Sequence, residues 1–381
     1  MKKSFVLLSC FFLFNGCQSQ SKIDKIREDG VEVVLNHLQP YIIKGESSTP
    51  VLEKVFSIDI EREDLLKIGL TDIETFDVDE QGNIFIIQWQ SKEKFVFKFD
   101  PQGQFIKSFL RFGQGPGGLE YGGRVLINPK GELMAKDPSK PKFLVYDGDG
   151  HFLREMRLIR NFSPTPLTNG SYFIFWGEDT PEFRKQFVGI CNSEFLNIKI
   201  LDQIQYPNAL NVRCPVNRDL LIYKAGGDKI YIGNTAKGYE IGVYDLEGNL
   251  LRKIRKEYKP VAVTEDVKKA YFEPWPKDDP LRNNFYFTEH WPAFRGLFSD
   301  DEGRLLVLTY EAGGSPGEFL YDIFNQAGVF IGRMSLANMK QLAAPRSFAV
   351  KFKKSRLYRL GRRKTGIRNW RYISCLGNYD R

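Results

Sequence analysis

Two series of short turns alternate along this chain, and they constrain its fold more than any other feature. The first series reads Asp79-Glu80-Gln81-Gly82-Asn83, Asn128-Pro129-Lys130-Gly131, Thr168-Asn169-Gly170, Ala225-Gly226-Gly227-Asp228 and Asp300-Asp301-Glu302-Gly303, with a weaker copy at Lys353-Lys354-Ser355. The second follows about twenty to twenty-five residues later: Asp100-Pro101-Gln102-Gly103, Asp147-Gly148-Asp149-Gly150, Cys191-Asn192-Ser193, Asp245-Leu246-Glu247-Gly248 and Asn325-Gln326-Ala327-Gly328. Aromatic and β-branched runs flank them (IFIIQW, YFIFW, LLVLTY, KFVFKFD, IGVYD). Their apolar–polar alternation is that of half-buried antiparallel strands.

The repeating unit is therefore strand, turn, strand, loop, strand, turn, strand. Four strands recurring every ~40–75 residues are the signature of a β-propeller blade. Six copies of the first turn accompany five of the second, so the last blade lacks its outer strand. The early segment Glu53–Ile60 (EKVFSIDI) can supply it, which removes the exposed edges at both chain ends. The expectation is an all-β fold: a six-bladed β-propeller of four-stranded antiparallel blades over residues 51–381, closed by an N-terminal strand.

Composition agrees and narrows the function. Aromatics make up 14% of the 381 residues and Gly numbers 34, which favours short strands and tight turns over a helical bundle. Three His and five Cys leave little for a zinc enzyme or a disulfide scaffold, and no metal or cofactor is expected. The net charge of +8 is local. From Lys351 to Arg381 eleven Lys or Arg face one acid, Asp380, so the preceding 350 residues sum to about −2. A basic end is not a basic face, and nucleic acid is not an expected partner.

Residues 1–16 (MKKSFVLLSCFFLFNG) read as a secretory signal, too short in its apolar run to span a bilayer. Cys17 follows at once, an arrangement that resembles a bacterial lipobox with Phe in place of the usual Leu three positions before the Cys. Acylation there would hold the protein on a membrane without a spanning helix. Residues 17–50 are then a lipid-anchored tether with one strand near Val31–Leu35. Cys191, Cys214 and Cys375 remain, an odd number, so at least one thiol stays free.

The stretches FDVDEQGNIFI and FVFKFDPQGQFIKSFLRFGQGPGG resemble an NHL-type blade. With Phe56-Ser57-Ile58-Asp59 and Trp291-Pro292-Ala293-Phe294, the chain resembles the six-bladed propeller lipoproteins of Bacteroidetes, with NHL-like or TolB-like blades. That resemblance covers about residues 53–376. It implies the propeller and an address in the cell envelope, pointing to the outer membrane, and it implies little about activity. The stretch Gly361–Trp370 is more basic than a closing blade would be.

Motifs for chemistry are sparse. Gly113-Gln114-Gly115-Pro116-Gly117-Gly118 satisfies GxGxxG, but more glycines and a strand follow instead of the helix a dinucleotide needs, so it reads as a blade-to-blade link. Asp147-Gly148-Asp149-Gly150 lacks the remaining calcium-loop ligands. No GxSxG or HExxH occurs, and of His37, His151 and His290 only His290 suits a site. A divalent-metal-dependent hydrolase or lactonase in the channel is the alternative function, and Asp72, Asp77, Asn128, Asn217 and Asp300 are its candidate ligands, though no spacing selects them.

One recurrence does point to a ligand. Arg124, Arg160, Arg213, Arg295 and Arg346 stand where a chain leaves one blade and starts the next, with Glu120, Tyr121, His290, Trp291 and Phe294 nearby. In a propeller those loops gather on one face. Converging guanidinium groups there suit carboxylate, phosphate or sulfate, with aromatics as a sugar or ring platform; alternatively they point outward as screened surface pairs. The leading expectation is a non-catalytic binding lipoprotein for a ligand or protein partner, anionic if these arginines converge. The longest insertion, about Lys256–Trp291, should carry a short helix at Glu265–Tyr271 and flank the funnel.

Overall fold

In the computed structural model, residues 23–43, 53–88, 95–110, 125–136, 140–158, 162–315, 317–337, 350–354, 356–361 and 372–377 are described, with isolated positions between them (113, 115, 117–119 and 160). Their strands form six blades, each with a four-stranded antiparallel core. The innermost strands are, in order, Thr75–Val78, Val125–Ile127, Ser163–Pro166, Leu221–Gly226, Gly296–Ser299 and Val350–Lys353. Each lies against the innermost strand of the next blade, and the sixth lies against the first. The ring is closed.

The turns explain why these residues pair. At Asp79, Asp100, Asn128, Asp147, Asn192, Asp245, Asp300 and Asn325 the side-chain Oδ1 accepts hydrogen bonds from the backbone N–H groups two and four residues on. This satisfies donors that the reversal would otherwise strand. The position three residues after the acid or amide takes a left-handed conformation, as at Gly150 (φ +91°), where a Cβ would also lie 2.5 Å from the Phe109 ring of the preceding blade. Glycine meets both demands.

The last blade pairs Val350–Lys353, Arg356–Gly361 and Tyr372–Gly377 with Glu53–Asp59, the last two antiparallel with Ile373 opposite Ile58. Closure by an N-terminal strand is thus as expected. Ile58 is completely buried among Phe76, Phe97, Tyr358 and Ile373, so the closing strand shares a core with the first blade. The basic stretch 362–371 lies outside the described residues.

The region before residue 51 departs from a plain tether. Asp24–Glu28 and Val31–Asn36 form a hairpin, and Val31–Asn36 pairs in parallel with Leu250–Lys256, the outer strand of the fourth blade. Arg255 donates to both Glu28 oxygens, Arg252 pairs with Glu32, and the buried Asn36 side chain donates to Arg255 O and Gly328 O and accepts from Phe330 N–H. The hairpin therefore ties the fourth blade to the fifth. The insertion contains the expected helix, Glu265–Phe272, N-capped by Thr264. Among the described residues no helix is long and apolar enough to cross a membrane.

Cys191, Cys214 and Cys375 are all free and buried. Burial pushes the Cys191 thiol up to about 12, so it is inert near neutrality.

Candidate functional site

Loops from an outer strand to the next inner strand, and loops joining the two middle strands of a blade, share one face of the ring, here the upper face. The Asx-type turns occupy the lower face. Arg295 lies immediately before the inner strand of the fifth blade, so it belongs to the upper face, and its N–H donates to Leu308 O. Its side chain does not reach out over the funnel. It turns into the blade, where it is only 7% exposed, with its guanidinium carbon 3.7 Å from the Phe319 ring centroid and 5.2 Å from that of Tyr310. Trp291 stacks on Tyr310 at 4.6 Å with an interplanar angle of 11°.

The Nε and Nη2 atoms of Arg295 are sealed from solvent and have no hydrogen-bond partner; the buried hydroxyl of Tyr321 has none either. Burial pulls the guanidinium pKa down and pushes the Tyr310 phenol up to about 12, yet an arginine stays charged at any physiological pH. A desolvated cation with two unmet donors is costly unless an acceptor arrives. The aromatic faces offset part of that cost, up to about 2 kcal/mol for a desolvated pair.

The same blade shows what a satisfied buried charge looks like here. Asp322 has no exposed surface; its carboxylate accepts from Tyr239 Oη at 2.7 Å and Arg333 Nε at 2.6 Å, with Lys256 Nζ at 3.4 Å. Arg333 continues to both oxygens of Glu311. Every charge in that network has a counterpart. Arg295 has none.

Aromatic rings extend from Trp291 into the insertion. Phe287 stands edge-on to Trp291 at 6.2 Å and to Tyr271 at 5.4 Å, and Tyr271 stacks on Trp275 at 6.1 Å. Arg282 pins this group by donating to the carbonyls of Phe272 and Trp275. The insertion is fastened to the propeller by Asn217, whose side chain donates to Thr288 Oγ1 and His290 O and accepts from Thr288 N–H. A two-residue parallel pairing of Cys214–Pro215 with Phe285–Tyr286 adds to it.

The other residues that the sequence singles out for the funnel scatter. Arg160 is exposed and ion-paired with Glu178 at 3.1 Å. Arg213 is exposed and lies over the Tyr286 ring at 5.0 Å. His290 is exposed beside Glu289, its carbonyl held by Asn217. Phe294 corrects the expectation most: it has no exposed surface and packs on Tyr239, a core residue and not a funnel wall. Cys17, Glu120, Tyr121, Arg124 and Arg346 lie outside the described residues. The structure therefore unites Trp291 and Arg295 on Tyr310 and holds Arg160 and Arg213 on other partners.

Sequence reasoning missed Tyr310, Phe319 and Tyr321, because they read as ordinary strand aromatics. It also missed Arg218, whose guanidinium carbon is 4.4 Å from the Tyr206 ring centroid and whose Nε has no partner.

The carboxylates and amides suggested for a channel metal are engaged separately. Asp77 pairs with Lys351 at 3.0 Å, Asp300 caps its turn and binds Arg304, Asn128 binds Glu132, and Asn217 fastens the insertion. Asp72 is buried near the start of the first blade. Among the described residues no group of three or more His, Cys, Asp or Glu is placed to hold a metal ion. Two crevices of about 490 Å³ lie away from Arg295, one between the second and third blades and one between the third and fourth. Their prominent charges are already paired, Arg154 with Glu132 in the first and Lys237 with Asp202 in the second.

Residues 51–208 match the family model DUF5128, described as a 6-bladed beta-propeller. Among solved structures, the chain is similar to a member of the DUF4221 family from Bacteroides vulgatus, with a TM-score of 0.53 and 11% identity over 86% of this chain and 97% of that one. It is also similar to a putative exported protein from Bacteroides fragilis, with a TM-score of 0.50 and 10% identity over 91% of this chain and all (100%) of that one. At such identities the likeness is one of fold. No curated protein matches the chain.

Proposed function

We propose that this six-bladed propeller is a membrane-anchored, non-catalytic binding protein that holds a carboxylate-bearing ligand, such as an acidic sugar, on its upper face at Arg295. The observation that carries the reading is the guanidinium on Phe319 and Tyr310, the ring on which Trp291 stacks, with its Nε and Nη2 buried and unpartnered. A carboxylate reaching it gains charge-assisted hydrogen bonds of about 1.5–3 kcal/mol each and removes the cost of the unmet donors. The aromatic rings offer the flat apolar surface that a sugar ring or an aromatic acid stacks on.

The anchor is the lipid expected on Cys17, and the hairpin supports an orientation. Val31–Asn36 runs parallel to Leu250–Lys256, whose end leads into the insertion on the upper face, and Asp24 pairs with Leu35 at that end. Seven residue steps separate Cys17 from Asp24, a span of at most about 25 Å. The ligand face would thus stand close to the bilayer.

A thermal-shift panel tests the ligand. Galacturonate and glucuronate should raise the melting temperature in a concentration-dependent way, while galactose and the methyl esters of the same acids should not. Equal responses to acids and their neutral twins, or none to any acid, contradict the reading. For the anchor, Cys17→Ser should release the protein into soluble fractions; unchanged membrane partition contradicts it.

A further inference from the structure

Residues 208–220 carry the chain from the outer strand of the third blade to the inner strand of the fourth, so they share the upper face with the insertion. The middle of this stretch is pinned. Cys214–Pro215 pairs with Phe285–Tyr286, the Val216 N–H donates to Tyr286 O at 2.7 Å, and Asn217 holds Thr288 and His290. An arginine stands at each end of the pinned segment. Arg213 is exposed, with its guanidinium carbon 5.0 Å from the Tyr286 ring centroid. Arg218 is half-buried, 4.4 Å from the Tyr206 ring centroid, and its Nε is sealed without a hydrogen-bond partner.

Other arginines nearby are matched. Arg184 holds both oxygens of Asp179 at 2.6 and 2.7 Å, Arg160 pairs with Glu178, and Arg282 donates to two carbonyls. Among the described residues neither Arg213 nor Arg218 has an ion pair. With Arg295 they make three cations on one face, each laid on a tyrosine ring and each without a carboxylate.

Aromatic rings join the two ends of this set. From Tyr310, beside Arg295, the series passes to Trp291 at 4.6 Å and on to Phe287 at 6.2 Å. It continues to Tyr271 at 5.4 Å and Phe285 at 6.4 Å. Tyr286, under Arg213, is the next residue in the chain. Every ring of the series is half-buried, whereas rings that serve the core, such as Phe173 and Phe195, are closed off. An apolar track left open between fixed cations suits a long ligand better than a small one.

We propose that the ligand of the upper face is an acidic oligosaccharide of several uronate units, laid along this track with one carboxylate at Arg295 and others at Arg213 and Arg218. This extends the reading of Arg295 as a carboxylate anchor and rests on it. Each uronate unit presents a flat face to an aromatic ring and a carboxylate to a guanidinium, the two chemistries that the track offers. An acidic peptide of equal charge supplies the carboxylates without the ring faces. Once the first unit is bound, contacts of the later units are intramolecular, so affinity rises with chain length. The pinned segment holds Arg213 and Arg218 in place beforehand, which spares part of the ordering cost.

Isothermal titration of the intact protein with galacturonate, hexagalacturonate and hexaglutamate reads that gain. Hexagalacturonate should bind at least about tenfold more tightly than galacturonate, and more tightly than hexaglutamate. Arg213→Met and Arg218→Met should each cut the gain several-fold, while Arg160→Met, which breaks only an exposed pair, should leave it unchanged. Melting curves check the folding of each variant, and Arg213, being exposed, is the substitution least able to disturb it. No gain with chain length, an equal gain for hexaglutamate, or a gain that survives both substitutions overturns the proposal while galacturonate binding at Arg295 stands. Absence of binding to every acid contradicts the Arg295 reading and this extension together.

Discussion

Arg295 and Asp322 lie on the same blade and meet opposite fates. Asp322 is enclosed by Tyr239, Arg333 and Lys256, and its charge is matched on every side. Arg295 is enclosed by rings, with two sealed donors unmet. If stability alone governed the position, an apolar side chain would serve better. Arg295→Met keeps contact with Phe319 and Tyr310 and removes the stranded charge, so stability in denaturant melts without ligand should rise by about 1 kcal/mol. A fall of more than about 2 kcal/mol would mean that the cation–aromatic contacts are structural in themselves. Among single residues the turns were legible, because an Asx turn announces itself by an acid or amide followed by a residue that accepts positive φ. Tyr310 and Phe319 were not. An aromatic residue at the end of a strand carries no local mark of what the fold brings to it.

The N-terminal hairpin is where local pattern and tertiary pairing part company. A strand near Val31–Leu35 was readable from alternation, yet its partner Leu250–Lys256 is more than two hundred residues away, and a parallel pairing leaves no turn to signal it. Its outer end is pinned by His37, whose ring lies 3.2 Å from Asp24 and 3.4 Å from Glu257. The hydrogen bond to Asp24, then that to Glu257, raises the imidazole pKa. A group raised in the folded state stabilises most when protonated. The contribution is therefore complete below about pH 6.5, the unfolded value, and is lost as pH rises through the folded pKa. Hydrogen exchange of the Val31–Asn36 amides should quicken over that rise in the wild type and show no such step in His37→Gln. Identical pH profiles for the two proteins would contradict this. The insertion behaves likewise: its helix was legible from Glu265 onward, and its docking through Asn217 was not.

As a whole, the molecule depends on its two chain ends meeting. Six inner strands touch in sequence, and the sixth blade is completed only by Glu53–Asp59. Ile58 is the core residue of that strand, buried between the last blade and the first. Ile58→Ala should cost about 2–5 kcal/mol and lower the melting temperature of the whole ring in one transition. A separate early transition, with the rest of the protein unaffected, would show that the seam is not part of the cooperative unit. The charge imbalance belongs to the whole molecule too, since Lys351 and Lys353 of the basic end pair with the first blade's Asp77 and Glu80 across the seam. Ring and closure were legible in the turn count; the upper-face cluster around Arg295 was only partly so, because whether an arginine turns outward or inward depends on the blade it meets.

The proposed function rests on one buried arginine of the upper face. Isothermal titration with galacturonate, or with the tightest acid of the thermal-shift panel, compares the wild type, Arg295→Met and Arg160→Met. Arg295→Met should weaken binding tenfold or more, whereas Arg160→Met, which breaks only an exposed pair with Glu178, should leave it nearly unchanged. Binding to Arg295→Met as tight as to the wild type would contradict the assignment of Arg295 as the ligand's anchor.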